Sequence, residues 1–316
     1  MASPFDSSNT TLVVDVSKWV PGSDVSVLRA GGVRGIVARI GEGLNDEPDP
    51  TWGPYVQAAY DNDIPAMGYY VIHPEMIDNT KGCVDEHLAR IKKFTQNKYI
   101  KAIWIDSEIV YDGRGKVISP VWINDRTRRL IDETQKAFPH LKVGLYTGGW
   151  YVDAYSPQMK TWMYKYPLWW AYYTVSSGGP VEWADLAKYY PEKLPTNLPP
   201  DATGKGNAPL HLWQWTGDKL KLPGMYSDAA KANRAAADVN FFMGNEQAFY
   251  KWLDYIPRGT SQPEPEPEPE EPPVEPPPDD EEPPVTGDFT AVLTKLAEIS
   301  TDVKIIKAFI EDMRKL

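Results

Sequence analysis

The sequence is poor in cysteine. Of 316 residues only Cys83 carries a thiol, so no disulfide can form within the chain. It has no run of about 18 apolar residues, the length a membrane-spanning helix needs. Its first residues, Met1-Ala2-Ser3-Pro4-Phe5-Asp6, lack the basic-then-apolar pattern of a secretory signal peptide. The expectation is a protein made in a cytoplasm that reaches any outside substrate by another release route. There is no basic patch, so nucleic acid is not an expected partner. Gly-x-Ser-x-Gly is absent and Cys83 falls inside an expected helix, which argues against a serine or cysteine nucleophile. His-x-x-Glu-His, Cys-x-x-Cys and the EF-hand loop are absent too, which argues against zinc. Acids alone can bind Mg²⁺ or Ca²⁺, so a metal stays the chemical rival of the reading developed below.

What the chain does have is uneven. Residues 262–286 are almost only Pro, Glu and Asp, with ten acids and no Lys or Arg. Such a segment cannot bury a core and reads as an extended, self-repelling linker. The residues after it balance five acids against five bases, so of the net charge of −11 only about −1 belongs to residues 1–261. The division expected is a barrel domain over 1–260, a linker over 261–287 and a helix over 288–316. In that last segment Phe289, Leu296, Val303 and Ile310 repeat every seven residues, and Val292, Ile299, Ile306 and Met313 interleave three residues later. This heptad predicts a coiled coil that makes the protein a homo-oligomer. A lone amphipathic helix docking on the barrel is the blander alternative.

Residues 1–260 suit one large α/β core. Apolar runs at 12–17, 35–40, 65–72, 102–109, 142–147, 168–173, 210–215 and 236–242 read as eight strands. Helical spacing appears at 51–63, 81–96, 122–138 and 244–253, and Ser23 or Asp24 can cap a short helix through Leu28. Residues 176–208, rich in Gly, Pro, Lys and Asn, read as a long excursion. Strands alternating with helices favour a parallel α/β barrel, with later connections too irregular for a full outer ring.

The stretch at 102–109 is the most telling. Alternation places Trp104, Asp106 and Glu108 on one face of a hydrophobic strand. Two acids on one face repel and lose hydration, an arrangement proteins seldom keep without use. The bland alternative is one capping acid beside an exposed one. Asp15 and Asp238 also fall at or near candidate strand ends, where barrels of this kind place their chemistry. Four converging acids suit hydrolysis of a glycosidic bond, in which one protonates the leaving oxygen and negative charge stabilises an oxocarbenium-like transition state. Glu108, with the longer side chain, is the expected proton donor, with Asp106 keeping its pKa up. Asp15, Asp106 and Asp238 are the expected ionised members. Sugar rings stack on aromatic faces, and the chain has 12 Trp and 18 Tyr, which makes Trp19, Trp150, Tyr151, Trp169, Tyr173, Trp213 and Trp215 candidate walls. Core packing is the alternative for each. Arg39, Glu42, Tyr69, Tyr146 and Gln214 join them as candidate substrate contacts. His73, at the third strand's end, reads as a wall or structural histidine rather than a base.

These pieces occur in an order that resembles the family 25 glycoside hydrolases, the Chalaropsis-type lysozymes. The residues that carry the resemblance are Val13-Val14-Asp15-Val16-Ser17, Trp104-Ile105-Asp106-Ser107-Glu108, Leu145-Tyr146-Thr147-Gly148-Gly149-Trp150, Leu168-Trp169-Trp170-Ala171-Tyr172-Tyr173, Leu212-Trp213-Gln214-Trp215-Thr216 and Ala237-Asp238-Val239-Asn240-Phe241-Phe242. The match covers nearly all of residues 10–255. It implies a flattened, irregular TIM-like barrel, N-acetylmuramidase activity on peptidoglycan and no cofactor. It also implies that Glu108 is the general acid, Asp106 its partner, and Asp15 and Asp238 the other cleft acids. The resemblance leaves two mechanisms open: the substrate's own N-acetyl group acts as nucleophile with an Asp orienting it, or an Asp attacks directly. The third strand ends Tyr69-Tyr70-Val71-Ile72-His73-Pro74, where the family more often has a Tyr-His-Phe-like end. With no signal peptide and a detached tail, the resemblance points to a phage endolysin that reaches the wall after release, a bacterial or prophage lysozyme being the alternative. A non-catalytic wall-binding protein on a relic barrel, or a glycosidase on a chitin-like polymer, are the readings it competes with.

Overall fold

The computed structural model describes residues 8–96, 98–174, 181–182 and 194–258. The expected linker and heptad helix lie outside the described residues, as does most of the 176–208 excursion.

The described chain is a closed barrel. Strands β1 (Thr11–Val16), β2 (Gly35–Glu42), β3 (Ala66–Val71), β4 (Ile100–Asp106), β5 (Lys142–Gly148) and β6 (Leu168–Ala171) pair in sequence order and in parallel. After a two-residue strand β7 (Val181–Glu182), β8 (Leu210–Lys221) pairs in parallel with β6, and β9 (Ala237–Phe242) closes the ring between β8 and β1. Helices α1 (Val25–Ala30), α2 (Trp52–Asp61), α3 (Thr80–Thr95) and α4 (Pro120–Ala137) fill the early connections, α5 (Gly149–Tyr155) follows β5 and α6 (Glu246–Trp252) follows β9. The eight-stranded, irregular α/β barrel expected from the pattern is thus present.

One strand departs from the all-parallel expectation. β9 runs antiparallel to both β1 and β8. The reason lies in its connection. Parallel neighbours need a crossover, usually helical, whereas residues 222–236 carry no helix and fold back on themselves through a Tyr226–Arg234 bridge. Two strands also differ in length: β4 stops at Asp106, short of Glu108, and β8 runs on to Lys221. Helix α5 was not legible, because its start, Gly148-Gly149, reads as a break. Of the two candidate caps, Asp24 is the one used, its carboxylate accepting the Ser26 and Val27 backbone N–H groups.

Strand alternation divides the core in two. One face meets the helices: Val14, Ile36, Ile103, Ile105, Leu145, Trp213 and Trp215 are buried there. The other fills the barrel: Val13, Val37, Met67, Trp104, Trp169, Leu212 and Phe242 form a plug, closed below by Phe249 and Leu253 near α6. An eight-stranded barrel is just wide enough for its own side chains. Gly144 shows how tight this is, since a Cβ there would lie 2.5 Å from the Trp104 ring. Above the apolar layers the same inward positions turn polar, and the site begins.

Candidate active site

Inward alternation carries Asp15, Arg39, Tyr69, Asp106 and Tyr146 to the barrel mouth at the C-terminal ends of β1 to β5. Asp238 reaches the same mouth from the N-terminal end of β9, because that strand is reversed. Asp15 and Asp238 are direct partners in the β1–β9 ladder. Asp15, Asp106, Glu108 and Asp238 line one cleft of about 420 Å³, with Trp19, Arg39 and Tyr69. A second acid-lined hollow, with Glu42, Asp46, Glu47 and Asp49, adjoins it and shares Arg39. The hollow of about 460 Å³ at the opposite barrel end, beside Tyr60 and Tyr99, has Asp254 as its single lining carboxylate.

Glu108 leaves the strand at a defined point although β4 has ended. Ser107 before it is held on three sides: its N–H donates to the Tyr146 carbonyl at 3.0 Å, its hydroxyl meets that of Thr127 at 3.1 Å, and its carbonyl accepts from the Thr147 hydroxyl at 2.8 Å. Glu108 is half-buried, whereas Asp106 is only 3% exposed.

The acids hold protons more tightly than ordinary carboxylic acids. Burial first, and then Glu108 and Asp15, push Asp106 well above the usual range. Burial and then Asp238 do the same to Asp15, against the lowering effect of amide donors from Asn240 and Gln214. Burial and then Asp238 raise Glu108, and Tyr146 draws it partly back. Glu108 and Asp106 repel each other, and Asp238 bears on Glu108 as well. Burial works against ionisation of Asp15 and Asp106, the members expected to be ionised.

The candidate contacts separate by exposure. Trp19 is 70% exposed on the cleft wall and can offer a ring face to a sugar. Trp150 and Tyr173 are exposed as well, Trp150 on α5 edge-on to Tyr151 and Tyr155. Trp169, Trp213, Trp215 and Tyr151 are buried and belong to the core: Trp213 donates to the Tyr172 carbonyl at 2.8 Å, and Tyr151 to the Ile109 carbonyl at 3.2 Å. Gln214 is buried too and touches Asp15 rather than open cleft. Tyr146 is likewise buried, its hydroxyl on Gln214 Oε1 at 2.7 Å. Tyr69 lies among the acids, its phenol pushed up by burial and then by Asp15.

Arg39 is tethered to buried Asp49 at 2.6 Å, so its cation stands at a set place beside the acids. Glu42 lines the adjoining hollow with Arg39 and bonds to His73 Nε2 at 3.0 Å. Glu75 takes His73 Nδ1 at 2.9 Å. Burial alone would lower His73, but Glu75 and then Glu42 hold it above its usual value. It joins the end of β2 to the loop that carries Glu75, which fits a wall or structural histidine rather than a base. Among the described residues no group of three or more His, Cys, Asp or Glu side chains is arranged to hold a metal ion.

Asn240 was missed. It is fully buried, and its Nδ2 donates to Asp15 Oδ2 at 2.9 Å. The same period of two that links Asp106 to Glu108 links Asp238 to Asn240, and that spacing was the available signal.

Comparison with known proteins agrees with this geometry. The family model "Glycosyl hydrolases family 25" matches residues 14–225. A search of curated proteins finds no match. Among solved structures, the chain is similar to the catalytic domain of endolysin ply40 from bacteriophage P40 of Listeria monocytogenes, at 20% identity and TM-score 0.53, over 78% of this chain and 98% of that one. It is similar to a family 25 glycosyl hydrolase from Bacillus anthracis at 15% identity and TM-score 0.54, over 78% and 94%. The bacterial lysozyme from Streptomyces coelicolor aligns at 16% identity and TM-score 0.53, over 77% and 96%. At such identities the likeness is one of fold.

Proposed function

This chain belongs to the glycosyl hydrolases of family 25, and from that membership we propose that it is a muramidase, cleaving the β-1,4 bond between N-acetylmuramic acid and N-acetylglucosamine in peptidoglycan. The observation that carries the chemistry is the meeting of Asp15, Asp106, Glu108 and Asp238 in one cleft. A dead scaffold would have no physical reason to gather four mutually repelling carboxyls in one cleft and bury two of them, Asp15 and Asp106.

Glu108 is the proton donor. It sits beyond the strand end, half-exposed to an incoming chain, and burial with the neighbouring Asp238 keeps a proton on it at a pH where a free glutamate would have lost it. As the glycosidic bond breaks, that proton passes from the Glu108 carboxyl to the leaving oxygen, and a water then adds to the anomeric carbon and gives up its proton to a carboxylate of the cleft. Asp106, Asp15 and Asp238 surround the opposite charge that develops on the sugar, or orient the acetamido group of the substrate against it. Trp19 supplies an exposed face along the cleft. The likeness to a phage endolysin domain supports a role in host lysis, with the enzyme reaching the wall after release. Among the described residues no helix is long and apolar enough to cross a membrane.

Digestion of purified peptidoglycan tests the reading. New muramic-acid reducing ends are expected with the wild type, and Glu108→Gln should lower the rate by roughly 10²–10⁴-fold. Full activity in that variant would sink the assignment. Release of other reducing ends would point to a different polymer, and the product anomer separates retention from inversion.

A further inference from the structure

A continuous set of hydrogen bonds stands behind Asp15. Asn240 Nδ2 donates to Asp15 Oδ2 at 2.9 Å and to the Val13 carbonyl at 3.4 Å, while Asn240 Oδ1 accepts from Trp169 Nε1 at 2.7 Å. An indole N–H can only donate and a carbonyl can only accept. A flipped amide would set N–H against N–H and oxygen against oxygen, so the orientation of Asn240 is determined by its surroundings. Gln214 Nε2 brings a second donor to the same Oδ2 at 3.2 Å, and its Oε1 accepts the Tyr146 and Tyr173 hydroxyls at 2.7 and 2.9 Å. Hydroxyls can turn, so Gln214 follows the arrangement that Asn240 dictates. Asn240 and Trp169 are both buried.

Two donors reach Oδ2, an oxygen with two lone pairs to offer. We propose that Asn240, oriented by Trp169, is a positioning residue that makes Asp15 Oδ2 an obligate acceptor, so that a proton held between Asp15 and Asp238 resides only on Asp15 Oδ1 or on Asp238. The inference rests on the glycosidase reading for its purpose: the barrel then controls which face of the acid pair carries charge toward the sugar. Other groups also act on Asp15. Asp238 comes from β9, Arg39 from β2, Tyr69 from β3, Asp106 and Glu108 from the end of β4, Tyr146 from β5 and Tyr173 from beyond β6. Asn240 and Gln214 are the neighbours whose hydrogen bonds favour its ionised form.

The test is Asn240→Leu, similar in size but without donors. In protein labelled with ¹³C at the aspartate carboxyls, the Asp15 titration should move up by about one pH unit. The acid limb of kcat/KM on a soluble glycan strand should move with it. Trp169→Phe, which removes the N–H that orients the amide, should act in the same direction by less. If Asn240→Leu does not fold, Trp169→Phe carries the same reading. An Asp15 titration that stays in place, with only a uniform loss of rate, would make Asn240 a packing residue and overturn the proposal. The carboxyl titration needs no turnover, so a wild type inactive on peptidoglycan would sink the proposed function and leave this question still decidable.

Discussion

Asp15 on β1 and Asp238 on β9 face each other as ladder partners across the antiparallel seam that closes the barrel. Side chains so paired stand about 5 Å apart at Cβ and share one face. The two acids are thus coupled by backbone register rather than by loop placement, and Asp238 in turn bears on Glu108.

Removing that charge should therefore retune the donor. Asp238 raises Glu108, so in Asp238→Asn the glutamate loses its proton at lower pH. The alkaline limb of the kcat pH profile should shift down relative to wild type. An alkaline limb unmoved in the variant would mean that Asp238 does not set Glu108.

Asp15 has a stability cost that can be measured. Burial, and then Asp238, push the folded Asp15 above its ordinary 3.8, so the folded chain binds more protons than the unfolded one between those two values. Stability therefore falls as pH rises through that window. Asp15→Asn keeps an acceptor for Asn240 and Gln214 and can offer an N–H to Asp238. Its Tm at pH 7 should exceed that of wild type by roughly 2–4 °C, with activity lost. The difference should close as pH falls toward 3.8. Calorimetry across pH checks both halves, and a lower Tm at pH 7 would contradict them.

Two tryptophans separate binding from packing. Trp19 is 70% exposed and Trp213 fully buried. Trp19→Ala should raise KM about tenfold and leave Tm near wild type. Trp213→Ala should cost about 3–5 kcal/mol of stability. Steady-state kinetics with thermal melts distinguishes them, and the reverse pattern would invalidate the assignment of wall and core.

The heptad over 288–316 predicts association. Sedimentation of the intact chain should give a multiple of the mass found for residues 1–260, and branched residues on both seam positions lean toward three strands or more. Assembly of this kind would raise avidity for a polymeric wall. Equal monomer masses for the two chains would discard it.

Much of this was legible beforehand, for reasons that differ by element. Short apolar runs exposed the strands at 12–17, 35–40 and 102–109, and helical spacing exposed α2, α3 and α4, because both signals are local. Asp106 and Glu108 stood out because acids interrupt an apolar run. Asn240 did not, because an amide beside an acid carries no such contrast. Trp169 and Trp213 looked like Trp19 in sequence, since exposure is a property of neighbours that arrive from elsewhere in the chain.

By itself the sequence determined the faces: which side chains point into the barrel, where an apolar layer gives way to acids, and which ordered motifs mark the family. Only the tertiary structure decided the direction of β9, and with it the meeting of Asp15 and Asp238. Only there did Gln214 find its place against Asp15, and did Asp238 join Asp106 beside Glu108. The physical reason is distance along the chain. Alternation is written within a few residues, whereas Asn240 holds Asp15 across 225 residues of separation, and only closure of the ring brings them within 2.9 Å.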